Sequence, residues 1–138
     1  MIQTYIHELI DVYRYIALKV KNIGADGIQI HSCHMHYLAQ FLSPGENKIT
    51  DKYGGNHENR CRIHNEKIEA VRSVVGNDYH VSIKLNDDDY KKDRTIPEDA
   101  ANTVSLLKGI DTVEVSCGRT PDAMSRSHCW KTFKCIPT

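Results

Sequence analysis

Apolar positions along the chain follow two different periods. Ile2, Ile6, Leu9, Tyr13, Ile16 and Val20 recur at spacings of three and four, which predicts an amphipathic helix over residues 2–22 ending at Gly24. After the short connection Ile23-Gly24-Ala25-Asp26, the run Gly27-Ile28-Gln29-Ile30-His31 predicts a strand. Residues 32–55 are irregular and hold Pro44, Gly45, Gly54 and Gly55. Their aromatics, Tyr37, Phe41 and Tyr53, predict a packed loop with a short helical piece at 37–42. Asn56 suits an N-cap for a second helix over about 57–75, with Glu58 at its positive end and Gly76 as its stop. Its stripe is Ile63, Ile68, Val71 and Val75. His80-Val81-Ser82-Ile83-Lys84-Leu85 alternates with period two and predicts a second strand. A polar loop, Asn86 to Arg94, follows. Thr95-Ile96-Pro97-Glu98 matches a capping box and predicts a third helix from 96 to about Lys108. Thr112 to Ser116 predicts a third strand, and residues 119–138 carry no period and no assigned structure.

The order αβ-αβ-αβ predicts a parallel sheet with right-handed crossovers. Parallel strands need both faces covered, and three helices cover three strands poorly, so the segment reads as part of something larger. Charge then removes whole classes of function. Eighteen Lys+Arg balance 18 Asp+Glu, and the pI is near 7.1. Neither nucleic-acid phosphate nor anionic lipid finds an electrostatic partner in such a chain. No apolar run approaches a membrane helix, and the N-terminus lacks the features of a signal peptide. Cys33, Cys61, Cys117, Cys129 and Cys135 are odd in number and form no CxxC pair. Free thiols in a reducing, cytoplasmic setting are the expectation.

Candidate chemistry concentrates in His31-Ser32-Cys33-His34-Met35-His36-Tyr37, where the first strand ends. Carboxyl ends of parallel strands are where α/β folds bind ligands. Imidazoles at i and i+3 in such a turn can hydrogen-bond an anionic oxygen, move a proton or bind a metal. Ordinary loop histidines are the bland alternative. The spacing matches no strong zinc signature, so no metal is assigned, and metal binding through His31, His34 and His36 stays a weaker reading.

Gly24-Ala25-Asp26-Gly27-Ile28-Gln29-Ile30-His31, His34, Gln40-Phe41-Leu42-Ser43-Pro44, Asn47, Thr50-Asp51, Tyr53-Gly54-Gly55 and Glu58-Asn59-Arg60 follow one another in order. This succession resembles the NADH:flavin oxidoreductases of the Old Yellow Enzyme family, including its 2-enoate reductase-like branch. A weaker match continues through Val81 to Asn86 and Val113 to Gly118. The resemblance implies a (β/α)8 TIM barrel with FMN at the carboxyl ends of the strands. It implies NAD(P)H as reductant and hydride transfer from the flavin to an activated alkene, an enone or enoate. His31 and His34 would bind the substrate oxygen, and Lys84 would sit at the flavin N1/O2 edge. Two fixed donors suit the negative charge that builds on such an oxygen. A cation suits the anionic reduced flavin.

Two positions depart from the family pattern. Met35 stands where the family has Gly, and His36 where it has the Tyr that protonates the substrate. His36 is therefore the candidate acid, and the role is not transferred to Tyr37, one residue late. Tyr53-Gly54-Gly55 and Glu58-Asn59-Arg60 read as structural, with Arg60 pairing a carboxylate or a backbone carbonyl. His64, Asn65 and Lys67 thin the stripe of the second helix where relatives are apolar.

A complete barrel needs about 250 residues. Residues 1–118 are accordingly expected to form a partial barrel of about three βα units, the fourth to sixth by resemblance, with 119–138 an unassigned tail. The alternative is a truncated, non-catalytic remnant that binds no flavin. Open sheet edges predict self-association. Cys129 and Cys135 lack the close spacing of a cluster-binding run, so no iron–sulfur cluster is expected.

Overall fold

A computed structural model describes residues 2–90, 93–117 and 131–134. Among the described residues the order is α1 (Ile2–Asn22), β1 (Gly27–Ser32), α2 (Tyr37–Leu42), α3 (His57–Val75), β2 (His80–Asn86), α4 (Pro97–Leu106) and β3 (Thr112–Ser116). The strands lie in the order β1-β2-β3, all parallel. A short β4 (Lys131–Lys134) then pairs antiparallel with β3. This corrects the expectation that residues 119–138 carry no structure. The rest of that tail, including Cys129 and Cys135, lies outside the described residues.

Register makes the sheet two-faced. Pairs such as Ile30 with Ile83 and Ile83 with Val113 put the apolar residues of all three parallel strands on one side. Ile30, Val81, Ile83, Leu85 and Val113 join Ile6, Ile10 and Ala17 of α1 and Ile63, Ile68, Val71 and Val75 of α3 in one core. The opposite face carries Gln29, His31, Ser82, Lys84, Asn86, Thr112, Glu114 and Ser116, because side chains alternate along a strand.

Local signals set the element ends. Asn56 Oδ1 accepts the backbone N–H of Asn59 at 2.9 Å, which caps α3. At its other end Gly76 has φ +82 and donates to Arg72 O. The third predicted helix starts one residue later than the capping-box reading places it. Ile96, not Thr95, is the N-cap, and its N–H donates to Asp99 Oδ2 at 3.3 Å.

The polar residues of α3 do not thin its packing; each has a partner across the core. His64 Nε2 lies 2.6 Å from Ser32 Oγ. Asn65 donates to Leu106 O and accepts from Lys108 N, holding the end of α4. Lys67 is fully buried with Nζ 4.5 Å from the Tyr13 ring and 5.7 Å from the Tyr37 ring.

The loop before α3 is built around contacts rather than regular structure. Gly54 packs so closely on Ile49 that a Cβ there would meet Ile49 O at 1.9 Å. Asn47 Nδ2 donates to both Phe41 O and Tyr53 O at 2.8 Å. Arg60 donates from Nε to Leu42 O at 3.0 Å and from Nη1 to Gly55 O at 2.7 Å. Backbone carbonyls are thus its main partners, with Asp99 at 3.7 Å.

Candidate active site

β1 delivers His31 to the polar face and ends at Ser32, and the chain then reverses. Cys33 O accepts from His36 N at 3.1 Å. His34 and Met35 both lie in the left-handed region, at φ +55 and +58. Each non-glycine residue there costs roughly 1–2 kcal/mol, so neighbouring contacts must hold the turn. Two do so. His34 N donates to Asn86 Oδ1 at 3.1 Å, and Gln40 Nε2 donates to Met35 O at 3.0 Å.

The turn folds the His34 ring back beside His31. The two ring centres are 6.0 Å apart at 67°. His34 Nε2 lies 2.7 Å from Ser116 Oγ. When the Ser116 hydroxyl donates to Nε2, the ring carries its proton on Nδ1 and presents that N–H to a ligand. Asn86 is held in turn, its Nδ2 donating to Asp89 Oδ1 at 2.6 Å. Asn86 and Ser116 are paired in register at the ends of β2 and β3. Neither is singled out by the sequence. Their shared place at the carboxyl ends of adjacent strands is the signal that finds them.

Both imidazoles stay neutral at neutral pH. Burial lowers the His31 pKa, with the neighbouring charges of His36 and Lys84 adding to it and Glu114 opposing. Burial likewise lowers that of His34, helped by Lys84, His31 and His36 and opposed by Asp89. Each ring therefore offers one N–H rather than two.

Below the rings, Lys84 pairs in register with His31 on one side and Glu114 on the other. Its Nζ is 2.8 Å from Glu114 Oε1, and Glu114 also accepts from Gln29 Nε2 at 2.8 Å. The Lys84 hydrogen bond leads the causes that lower the Glu114 pKa. Lys84 thus lies on the polar face in an ion pair with Glu114.

His36 is exposed at the start of α2, its ring 4.9 Å from that of His31. Tyr37 faces elsewhere. Its ring packs edge-on against Tyr5 of α1 at 6.1 Å and Phe41 at 5.4 Å. His31, Cys33 and His34 bring one ligating atom each to within 4.8 Å of one another, so Cys33 rather than His36 completes this trio.

A family model described as NADH:flavin oxidoreductase / NADH oxidase matches residues 1–129. An NADPH dehydrogenase of Clostridium acetobutylicum is 36% identical over 115 residues, which cover 82% of this chain and 34% of that protein. A 2-naphthoyl-CoA reductase in complex with 2-naphthoyl-CoA superimposes with a TM-score of 0.77 at 30% identity, covering 85% of this chain and 18% of that one. An Old Yellow Enzyme from a Pichia species gives 0.56 at 38% identity, over 59% of this chain and 21% of the other. The chain spans about a third, or less, of the lengths of these proteins. Its α/β fold is part of a TIM barrel.

Proposed function

Because the chain belongs to the NADH:flavin oxidoreductase / NADH oxidase family, we propose that it forms the substrate end and one flavin contact of an FMN-dependent NAD(P)H oxidoreductase acting on activated alkenes. The observation that carries this reading is the His31–His34 pair at the carboxyl ends of the parallel strands, with His34 fixed by Ser116 and Asn86. Two neutral imidazoles, His34 held by Ser116 and Asn86, suit a small-molecule enone or enoate. They bind its carbonyl or carboxylate oxygen and stabilise the charge that develops there. His36 would hold the proton destined for the substrate α-carbon, its exposed ring exchanging protons with water.

Lys84 fits the anionic edge of a reduced flavin, because it places a cation on the polar sheet face within one strand spacing of His31. Bound FMN would supply the hydride, drawn from NAD(P)H. The cysteine pattern supports a reducing, cytoplasmic setting, and no described helix is long and apolar enough to cross a membrane.

One observation favours the second reading, a chain that binds no flavin by itself. The edge of β3, which another parallel strand would meet in a barrel, is taken by antiparallel β4. The deciding experiment is the visible spectrum of the purified chain after incubation with FMN and removal of free cofactor. A retained band that NAD(P)H bleaches without oxygen supports the oxidoreductase reading. Loss of all flavin supports the second.

A further inference from the structure

The trio His31, Cys33 and His34 has a geometry that the oxygen-binding role does not use. Cys33 Sγ lies 3.7 Å from Nε2 and 3.8 Å from Nδ1 of His31. Zinc bonds of about 2.3 Å to sulfur and about 2.0–2.1 Å to nitrogen, at tetrahedral angles, set an S···N edge of roughly 3.5–3.6 Å. An ion on either nitrogen would sit along that nitrogen's in-plane lone pair, so Sγ, now nearly equidistant from both, must swing toward one of them to share it. His34 closes the triangle, all three ligating atoms lying within 4.8 Å. In the other tautomer, His34 Nε2–H donates to Ser116 Oγ, which leaves Nδ1 without a proton for the ion and fixes the ring, as outer partners of metal-bound imidazoles do.

Burial holds the Cys33 thiol protonated until an ion displaces that proton, and the neighbouring charge is partly balanced. The nearest ammonium, Lys84, is paired with Glu114 at 2.8 Å, and Asp89 lies on the His34 side. Cys33 is buried while His31 is exposed, so an ion would meet sulfur on its inner side and water on its outer side.

We propose that His31, Cys33 and His34 form a three-ligand site for a zinc-type divalent cation, with one position open to water. One thiolate and two imidazoles are a borderline-soft set that selects such ions over Mg2+ or Ca2+. On binding, the Cys33 sulfur bonds to the metal and its proton leaves to solvent. Coordination needs only these three side chains, so the inference does not depend on flavin binding.

Titration of the purified, reduced chain with Co2+ tests it. One equivalent is expected to produce intense visible bands of a tetrahedral ion and a near-ultraviolet thiolate-to-cobalt band, both removed by one equivalent of Zn2+. Cys33→Ser is expected to abolish the thiolate band, His34→Ala to weaken binding at least tenfold, and Cys61→Ser to change neither. A spectrum like that of Co2+ in buffer, or a thiolate band that survives Cys33→Ser, would overturn the proposal. X-ray absorption at the zinc edge of the unmodified chain gives an answer that needs no variant to fold. One sulfur and two imidazole nitrogens support the site; a shell of nitrogen and oxygen alone rejects it.

Discussion

Lys67 has no exposed surface and no hydrogen-bond partner for Nζ among the described residues. The rings of Tyr13 and Tyr37 are what it meets instead, a cation–π arrangement that offsets only part of the desolvation. Burial pushes its pKa down to about 7, from 10.5. Between those values the unfolded chain binds a proton that the folded chain does not, so stability rises with pH across that window. Lys67→Met is expected to raise stability at pH 7 by on the order of 1–3 kcal/mol and to flatten the rise. Urea midpoints at pH 7 and 10 check both. His64, buried beside it, is pushed down to about 3. As pH falls from 6.5 toward 3 the unfolded histidine takes a proton that the folded one refuses. Stability should then fall by up to about 1.4 kcal/mol per pH unit, read from melts at pH 6, 5 and 4. Met35, at φ +58, is a simpler case. Met35→Gly is expected to gain about 0.5–1 kcal/mol by removing the left-handed strain, measured by thermal melting.

At the scale of elements, Arg60 joins three pieces of chain. It ties the end of α2 and the glycine loop to α3 through Leu42 O and Gly55 O, and its Nη2 lies 3.0 Å from His57 Nδ1. Arg60→Ala leaves buried carbonyls without a donor and is expected to cost about 2–4 kcal/mol. A matched loss in denaturant midpoint, with the far-ultraviolet spectrum unchanged before the transition, is the expected result. Most elements were legible in the sequence because their signals are local: Asn56 before α3, Gly76 after it, period-two alternation in β2. The exceptions have physical causes. β4 is four residues, Lys131-Thr132-Phe133-Lys134, with a single apolar position, and only the exposed edge of β3 makes it a strand. Thr95 reads as a cap, yet Pro97 and Asp99 move the N-cap to Ile96 and the first helical residue to Pro97. His64 and Lys67 read as erosion of a stripe because their partners, Ser32 and two tyrosine rings, lie on other elements. The site follows the same division. His31 and His34 stand out by position at a strand end. Ser116 and Asn86 act only through sheet register, and the left-handed turn that brings Cys33 into the trio has no Gly or Asn to announce it.

On the scale of the whole molecule, the helix-covered face is sealed but its flank is not. Tyr5, Val12, Ile16 and Ile23 share one side of α1 and its end, with 56%, 49%, 46% and 82% of their surfaces exposed. The outer edge of β1 has no strand beside it among the described residues. These adjacent features support self-association of the chain. Sedimentation equilibrium is expected to show association at micromolar concentration. The double variant Val12→Glu, Ile16→Glu should shift the chain toward monomer with its melting temperature within a few degrees. Equal association in both would count against this flank as the contact.

The antiparallel β4 also decides what kind of particle such association makes. A sheet with two equivalent bare edges can add copies without end and grow into a fibre. Here the two borders differ. One is the full length of β1. The other is a four-residue strand bracketed by Lys131 and Lys134, too short and too charged by sequence to template another chain. Two copies meeting through β1 would use up both long borders and leave only the short ones outward. Among the described residues, assembly by that route would stop at two rather than continue into a fibre.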